Sequence, residues 1–288
     1  MRGGAESVAD TRWCPFMKLA LNDFRLIRDF IHDKTGIFLK HSKTYFLEQR
    51  LERRFEELGC ADVQEYYRCL KYDTARNELD ALVEILTTNE TYFFRDIKQL
   101  LAFSREALPN VVERKLAEGK KSITIWSAGC STGDEPYTLA MLASEVMKRI
   151  KIRIIATDIN ARVVQFAKQG IYSGRSLKDV PPHYLKRYFT LREDGYEVTA
   201  EIKSMTEYMV LNLVDKMRMS LLSDLDFIFC RNVLIYFSHP VAKQVINHFY
   251  DSLNNGGYIF MGPAESMHLF SGAFMPVKFR KLVGYRKN

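Results

Sequence analysis

The chain has 288 residues, 47% hydrophobic and 27% charged, with a formal net charge of +7. That is ordinary for a soluble globular protein, and long enough for one large domain or two smaller ones without covalent staples. Five cysteines, odd in number and without a C-x-x-C pair, argue against a zinc ribbon or a disulfide framework and favour a reducing compartment. No apolar run approaches the roughly 20 residues that span a bilayer, and the amino terminus lacks the apolar core of a signal peptide. A cytoplasmic protein without membrane insertion is expected.

Residues 1–17 read as a disordered leader. From residue 18 to residue 95 the pattern is helical. "LNDFRLIRDFIHDKTG" aligns Phe24, Ile27, Phe30 and Ile31, with Asn22 as N-cap and Gly36 as stop. "SKTYFLEQRLERRFEELG" runs from a Ser42 cap to Gly59 and aligns Leu47, Leu51, Phe55 and Leu58. "ADVQEYYRCLKYD" and "ARNELDALVEILTT" supply two more helices, which completes a small all-helical N-terminal domain. On the second helix, Lys43, Arg50, Arg53 and Arg54 fall on one side and Glu48, Glu52 and Glu56 on the other. The pattern fits either a solvated helix carrying i,i+4 ion pairs or a basic rail for an acidic partner.

Residues 96–120 form a helical linker. Strand and helix then alternate over 121–288: "SITIWSAG", "DEPYTLAMLASEVMKR" with Pro136 near its start, "KIRIIATDI", "NARVVQFAKQG", "LDFIFCRNV", "PVAKQVINHFYDSL", the turn "NNGG", "GYIFMGP", and a last edge strand in "MPVKFRKLVGYRKN". The fold class is therefore α/β, a doubly wound and mostly parallel sheet. Near residues 188–206 the rhythm breaks into a hairpin with Asp194-Gly195 as its turn, a small antiparallel subdomain. Charge divides unevenly, with 16 basic and 17 acidic residues in the first hundred against 26 and 18 in the rest. A basic second half suits an acidic partner or simple solubility.

The stretch "SAGCSTGDEPY", Ser127 to Tyr137, follows the first strand. Gly129 and Gly133 permit close backbone approach. The turn lacks G-x-x-x-x-G-K-[ST] and departs from G-x-G-x-x-G, so a nucleotide phosphate cradle is disfavoured. Asp134 and Glu135 at a helix start would repel phosphate. Asp158, ending the second strand, stands where an acid grips ribose hydroxyls in such sheets. Together these features suggest a cationic nucleoside without phosphate, and S-adenosylmethionine has that profile. Six scattered histidines form no metal pattern, and no metal is expected.

"TTNETYFFRD", "WSAGCSTGDEPYT", "ATDIN", "VLNL" and "FIFCRNVLIYF" stand in the order seen in the chemotaxis receptor methyltransferases, and the chain resembles that CheR family over about residues 18–285. The resemblance implies methyl transfer from S-adenosylmethionine to glutamate side chains of chemoreceptors, with S-adenosylhomocysteine as product. It also implies cofactor contacts from Asn89, Thr91, Arg95, Ala128, Glu135, Asp158, Asn212, Leu213, Arg231 and Asn232. Arg95 and Tyr236 would face the reacting methyl and the substrate carboxylate, and the rail Lys43, Arg50, Arg53 and Arg54 would dock the acidic receptor bundle. Members that tether through a receptor's C-terminal pentapeptide carry a longer glycine-rich loop than "REDGYE", so tethering is not expected here. A methyltransferase for another protein or for nucleic acid, and a non-catalytic S-adenosylmethionine-binding signalling module, stay open at this level. The second half lacks an N-P-P-Y-type segment, so a nucleic-acid partner is not expected.

Overall fold

The computed structural model describes residues 18–146, 150–267, 270–280 and 282–288, so the expected leader at 1–17 lies outside the described residues. Four helices open the chain: α1 (Leu21–Thr35), α2 (Thr44–Leu58), α3 (Val63–Tyr72) and α4 (Asn77–Leu86). They bury Phe24, Ile27, Ile31, Leu47, Leu51, Tyr66, Leu70 and Leu82 in one cluster. Gly36 and Gly59 end α1 and α2 with φ of 76° and 66°, the left-handed C-cap that glycine adopts without a Cβ penalty.

The starts differ from the sequence reading. Asn22 lies inside α1, which begins at Leu21 with no side-chain cap; the Phe24 amide bonds to the Ala20 carbonyl and the Leu19 amide to Glu48. Ser42 lies inside a 3₁₀ turn, His41–Lys43, that already closes the hydrogen bonds an N-cap would make. Leu58 is 43% exposed, so the apolar stripe of α2 stops at Phe55, whose ring meets Tyr66 at 4.9 Å.

Next come α5 (Ile97–Ala102), a π turn at Phe103–Ala107, and α6 (Leu108–Ala117). Phe103 packs edge-on against Phe227, Phe229 and Phe260. The Lys115 ammonium, buried, reaches buried Asp226 at 2.7 Å. That pair fastens the connector to the sheet.

The remaining elements are β1 (Ser122–Ala128), α7 (Asp134–Val146), β2 (Lys151–Asp158), α8 (Ala161–Gln169), β3 (Ile171–Tyr172), α9 (Pro182–Tyr188), β4 (Phe189–Arg192), β5 (Gly195–Val198), α10 (Ala200–Lys203), β6 (Thr206–Val210), α11 (Lys216–Met219), β7 (Leu225–Cys230), α12 (His239–Ser252), β8 (Leu253–Met261), β9 (Met275–Phe279) and β10 (Leu282–Arg286). The main sheet runs β6-β2-β1-β7-β8-β10-β9, parallel through β8 and antiparallel beyond it. Alternation along the strands sorts the core onto two faces. Ile123, Ile125, Phe227, Phe229 and Phe260 face one cluster; Trp126, Ala128, Ile228, Cys230 and Ile259 face another with Phe249 of α12. The order reverses between β1 and β7, which puts a ligand crevice at their carboxyl ends.

Three strand readings shift. The tail forms the hairpin β9–β10 instead of one edge strand, with β10 inside and β9 at the edge. The second sheet, β3-β5-β4, starts at Ile171, ahead of the expected insertion. Its hairpin pairs Arg192 with Gly195, so the turn is Glu193-Asp194, one residue earlier than expected. Gly195 is needed as a strand residue, because a Cβ there would lie 2.5 Å from the Tyr172 carbonyl. β8 also absorbs the segment read as a turn, since the Gly256 amide bonds to the Lys287 carbonyl.

Candidate functional site

A cleft with a cavity volume of about 240 Å³ opens at the carboxyl ends of β1, β2, β6 and β7 and is roofed by α1, the end of α4 and the segment after it. The turn after β1 forms its floor. Gly129 has φ +80°, and its amide and that of Cys130 both donate to the Thr157 carbonyl at 2.8 and 2.9 Å. A Cβ on Gly129 would sit 2.3 Å from Val233 Cγ2, so only glycine lets the β1 and β7 loops close on one another.

Two carboxylates of this floor have different employment. Asp134 is fully buried, accepts from the Thr132 hydroxyl at 2.6 Å and from the Ser176 hydroxyl, and is pushed above the ordinary carboxyl range by burial. It is a framework group. Glu135 faces the cleft, accepting from Ser127 Oγ at 2.7 Å and from the Arg231 guanidinium at 3.0 Å. Asp158 accepts the backbone N–H groups of Ser131 and Asn160 at 2.8 and 3.0 Å; burial raises its pKa, and these two N–H groups oppose that shift. Asn160, not Asp158, caps α8, its side chain accepting from Arg162 and Val163.

Arg231 is the hub between the two walls. Its side chain, 5% exposed, donates to Glu135, to Asp96 at 2.6 Å and to the Arg95 carbonyl at 2.8 Å. Arg95 is flanked by Phe94 at φ 61° and Asp96 at φ 56°. The Phe94 amide is held by Thr138 Oγ1 at 3.2 Å, and the Arg95 guanidinium donates to the Glu90 carbonyl at 2.9 Å. Ser131 at 49° and Asn232 at 59° also have positive φ, so four of the six such non-glycine residues described line or flank the cleft. Backbone strain is concentrated where side chains must be aimed.

Of the expected site residues, Asn89, Thr91, Arg95, Glu135, Asp158, Asn212, Leu213, Arg231, Asn232 and Tyr236 all line this cleft. Ala128 does not; it is fully buried beneath the floor, where β1 packs. Asn212 also reaches outward, its amide donating to the Lys34 carbonyl at the end of α1. Tyr236 is 37% exposed, and its carbonyl accepts the Phe38 amide at 2.8 Å. The sequence reading missed Thr35 and Ile37, which join the lining because an Ile37–Phe237 bridge brings the end of α1 to the site. It also missed Glu265 on the loop after β8, whose only signal was its position as the last acid of the chain. Cys130 lines the cleft, yet burial and the nearby Asp158 and Glu135 push its thiol well above the ordinary range, so it is no nucleophile.

The basic rail lies elsewhere, on α2 and the turn before it, and it splits. Lys43 and Arg50 are exposed and lie against the Phe46 ring, and Arg53 is exposed and paired with Glu57. Arg54 is turned inward. Its guanidinium pairs with Glu78, which is 6% exposed and also accepts the Tyr66 hydroxyl at 2.6 Å. A cation committed to a buried carboxylate is part of the helical core and cannot serve as a docking charge.

A family model described as "CheR methyltransferase, SAM binding domain" matches residues 89–283, and one described as "CheR methyltransferase, all-alpha domain" matches residues 22–87. The chain is 39% identical over 269 residues to chemotaxis protein methyltransferase 2 of Vibrio cholerae, covering 92% of each chain. It is 33% identical over 279 residues to chemotaxis protein methyltransferase 1 of Pseudomonas aeruginosa, covering 94% of this chain and 99% of that one. To the chemotaxis protein methyltransferase of Escherichia coli it is 33% identical over 257 residues, 86% of each. The cleft suits the S-adenosylmethionine that the first family description names. Carboxylates and a guanidinium face one another as a zwitterionic amino-acid group requires. Asn232 Oδ1 is buried with no partner, an acceptor awaiting a donor.

Proposed function

From membership of the CheR methyltransferase family, to which this chain belongs, we propose that it esterifies glutamate side chains in the cytoplasmic region of chemoreceptors. One observation carries the reading. Among the described residues the cleft lining holds no histidine or lysine, and its three acids are already engaged, Glu135 by Ser127 and Arg231, Asp158 by two backbone N–H groups and Glu90 by Arg175. A site without a free base fits a nucleophile that needs no deprotonation, and a glutamate side chain with a reference pKa of about 4.3 is one.

Bound S-adenosylmethionine supplies a methyl on a sulfonium, already activated for displacement. A substrate carboxylate, already ionised, would take that methyl directly, so no residue of the cleft would have to move a proton. The protein's own work is alignment and exclusion of water. Arg95, held by the Glu90 carbonyl, presents two planar donors to one carboxylate. Tyr236, at the rim and partly exposed, would donate its hydroxyl to the second oxygen. Glu135 and Asp158 orient the donor's charged and hydroxyl ends.

Lys43 in the turn before α2, with Arg50 and Arg53 on α2, gives the receptor's acidic surface a landing site, with Arg54 excluded from that role. The β4–β5 hairpin closes in a two-residue turn without a longer loop, and direct binding to the methylation region is the route we favour. The test incubates the protein with methyl-labelled S-adenosylmethionine and receptor-containing membranes and measures alkali-released methanol. Base-labile label on the receptor, lost in Arg95→Ala with donor binding retained, is the expected result. Donor binding without any base-labile transfer would refute it.

A further inference from the structure

We infer that Glu265 is the positioning residue that builds the Asn232–Tyr236 loop, and through it sets both the donor contact and the aim of Tyr236. This rests on the reading of the cleft as the methyl-transfer site. Glu265 is 8% exposed and lies in the loop that follows β8. Its Oε1 accepts the amides of Val233, Leu234 and Ile235 at 2.9, 2.7 and 3.3 Å. Its Oε2 accepts those of Asn232 and Gly262 at 2.9 and 2.7 Å.

Four consecutive N–H groups turned on one carboxylate make an anion nest, and the anion is supplied by the chain itself. The nest exists because Asn232 is left-handed at φ 59° while Val233 is right-handed at φ −116° and ψ −48°. Asparagine enters the left-handed region more readily than most side chains, and the carboxylate's contacts to the four amides hold it there. Once formed, the loop carries the partnerless Asn232 Oδ1 at one end and the short 3₁₀ turn Leu234–Tyr236 at the other. Neither end has a side-chain anchor as strong as the carboxylate beneath it.

Gly262 gives an independent sign of the same device. A Cβ there would lie 2.7 Å from Glu265 Oε2 and 2.8 Å from the Asn232 amide. Glycine at 262 is thus what lets the carboxylate reach the loop.

The test compares Glu265→Gln, Glu265→Asp and Gly262→Ala with the unaltered chain. Three quantities are read: kcat and receptor KM at saturating donor, S-adenosylhomocysteine affinity by calorimetry, and amide exchange of the peptide spanning residues 232–236. Glutamine keeps one acceptor oxygen but turns an NH₂ toward the Asn232 and Gly262 amides. The expected result is a fall in kcat of roughly a hundredfold, the size that a displacement of about 1 Å produces. Receptor KM stays within about twofold, because docking lies on α2. Exchange at residues 232–236 accelerates while α12 and β1 remain protected. Asp at 265, one methylene shorter, gives a partial loss.

A folded Glu265→Gln protein with unchanged kcat and unchanged exchange would overturn the inference. So would a loss of kcat matched by an equal rise in KM and exchange spread over the whole chain. Should Glu265→Gln not fold, Gly262→Ala decides in its place, and unaltered kcat in that variant overturns the proposal. If the unaltered chain transfers no methyl in the same assay, the functional reading fails and the exchange data still report on the loop.

Discussion

Removing the Arg231 guanidinium should damage two properties at once, and the structure gives the size of the first. The side chain is 5% exposed and neutralises Glu135 and Asp96, whose side chains are 13% and 32% exposed. Arg231→Met keeps an apolar stem of similar reach and leaves the two carboxylates facing each other with no counter-charge. Breaking a buried pair from one side costs about 3–5 kcal/mol. Asp96 is a third exposed and so partly screened, which places this case near the lower end, at about 3 kcal/mol. For a domain of this size that is a fall of about 6–10 °C in Tm. Arg231→Lys, a point charge without the fork, should recover about half of it. The second property is the cleft itself, since Arg231 also holds the Arg95 carbonyl. In thermal denaturation with and without S-adenosylhomocysteine, Arg231→Met should melt early and lose most of the ligand-induced rise in Tm. A Tm within about 1 °C of the unaltered chain, with the ligand-induced rise intact, would refute the idea that this guanidinium joins the two walls.

Other outcomes follow from single contacts. Gly129→Ala places a Cβ 2.3 Å from Val233 at a φ of +80°, and calorimetry should show at least a tenfold loss of donor affinity, from about 1–2 kcal/mol of conformational cost plus the clash. Asp134 has a raised pKa from burial, so between the unfolded value of about 3.9 and its higher folded value the native state holds the proton more tightly, and stability from this group falls as pH rises through that window. The Tm of Asp134→Asn relative to the unaltered chain should therefore climb as pH rises above about 4; a flat or falling difference would contradict it. On α2, Arg50→Glu should raise receptor KM with Tm unchanged, whereas Arg54→Glu, facing buried Glu78, should lower Tm by several degrees. Equal effects of the two on KM would show that Arg54 is not confined to the core.

Much of this was legible because it is local. Glycines at 36, 59 and 170 stop helices wherever the left-handed region is required, and the alternation in "SITIWSA" and "LDFIFC" marks strands whatever lies around them. Glu135, Asp158, Arg231 and Tyr236 meet because the parallel topology delivers each strand's loop to the same edge, whereas Asn89 comes from the segment after α4, ahead of the first strand. β3 and β6 escaped notice because two residues, or five with mixed exposure, carry too little periodicity to register. The turn at 193–194 was displaced by one residue because aspartate-glycine is the common hairpin signal, while here the glycine is fixed by the nearby Tyr172 carbonyl.

The sequence by itself determined the two-part architecture, the edge of the sheet at which the cleft opens, and many of the residues that line it, though not Thr35 or Ile37 and wrongly including Ala128. Only the tertiary structure decided how charges at those positions are employed. A helical wheel assigns Arg54 to the same side as Arg50, but partners of a side chain come from elements distant in sequence, and Glu78 from α4 claims it. Asp134 and Glu135 are adjacent letters, yet one turns into the framework and the other into the cleft. Glu265, separated by 30 residues from the loop it organises, acts through backbone amides, which every non-proline residue has and no motif can record.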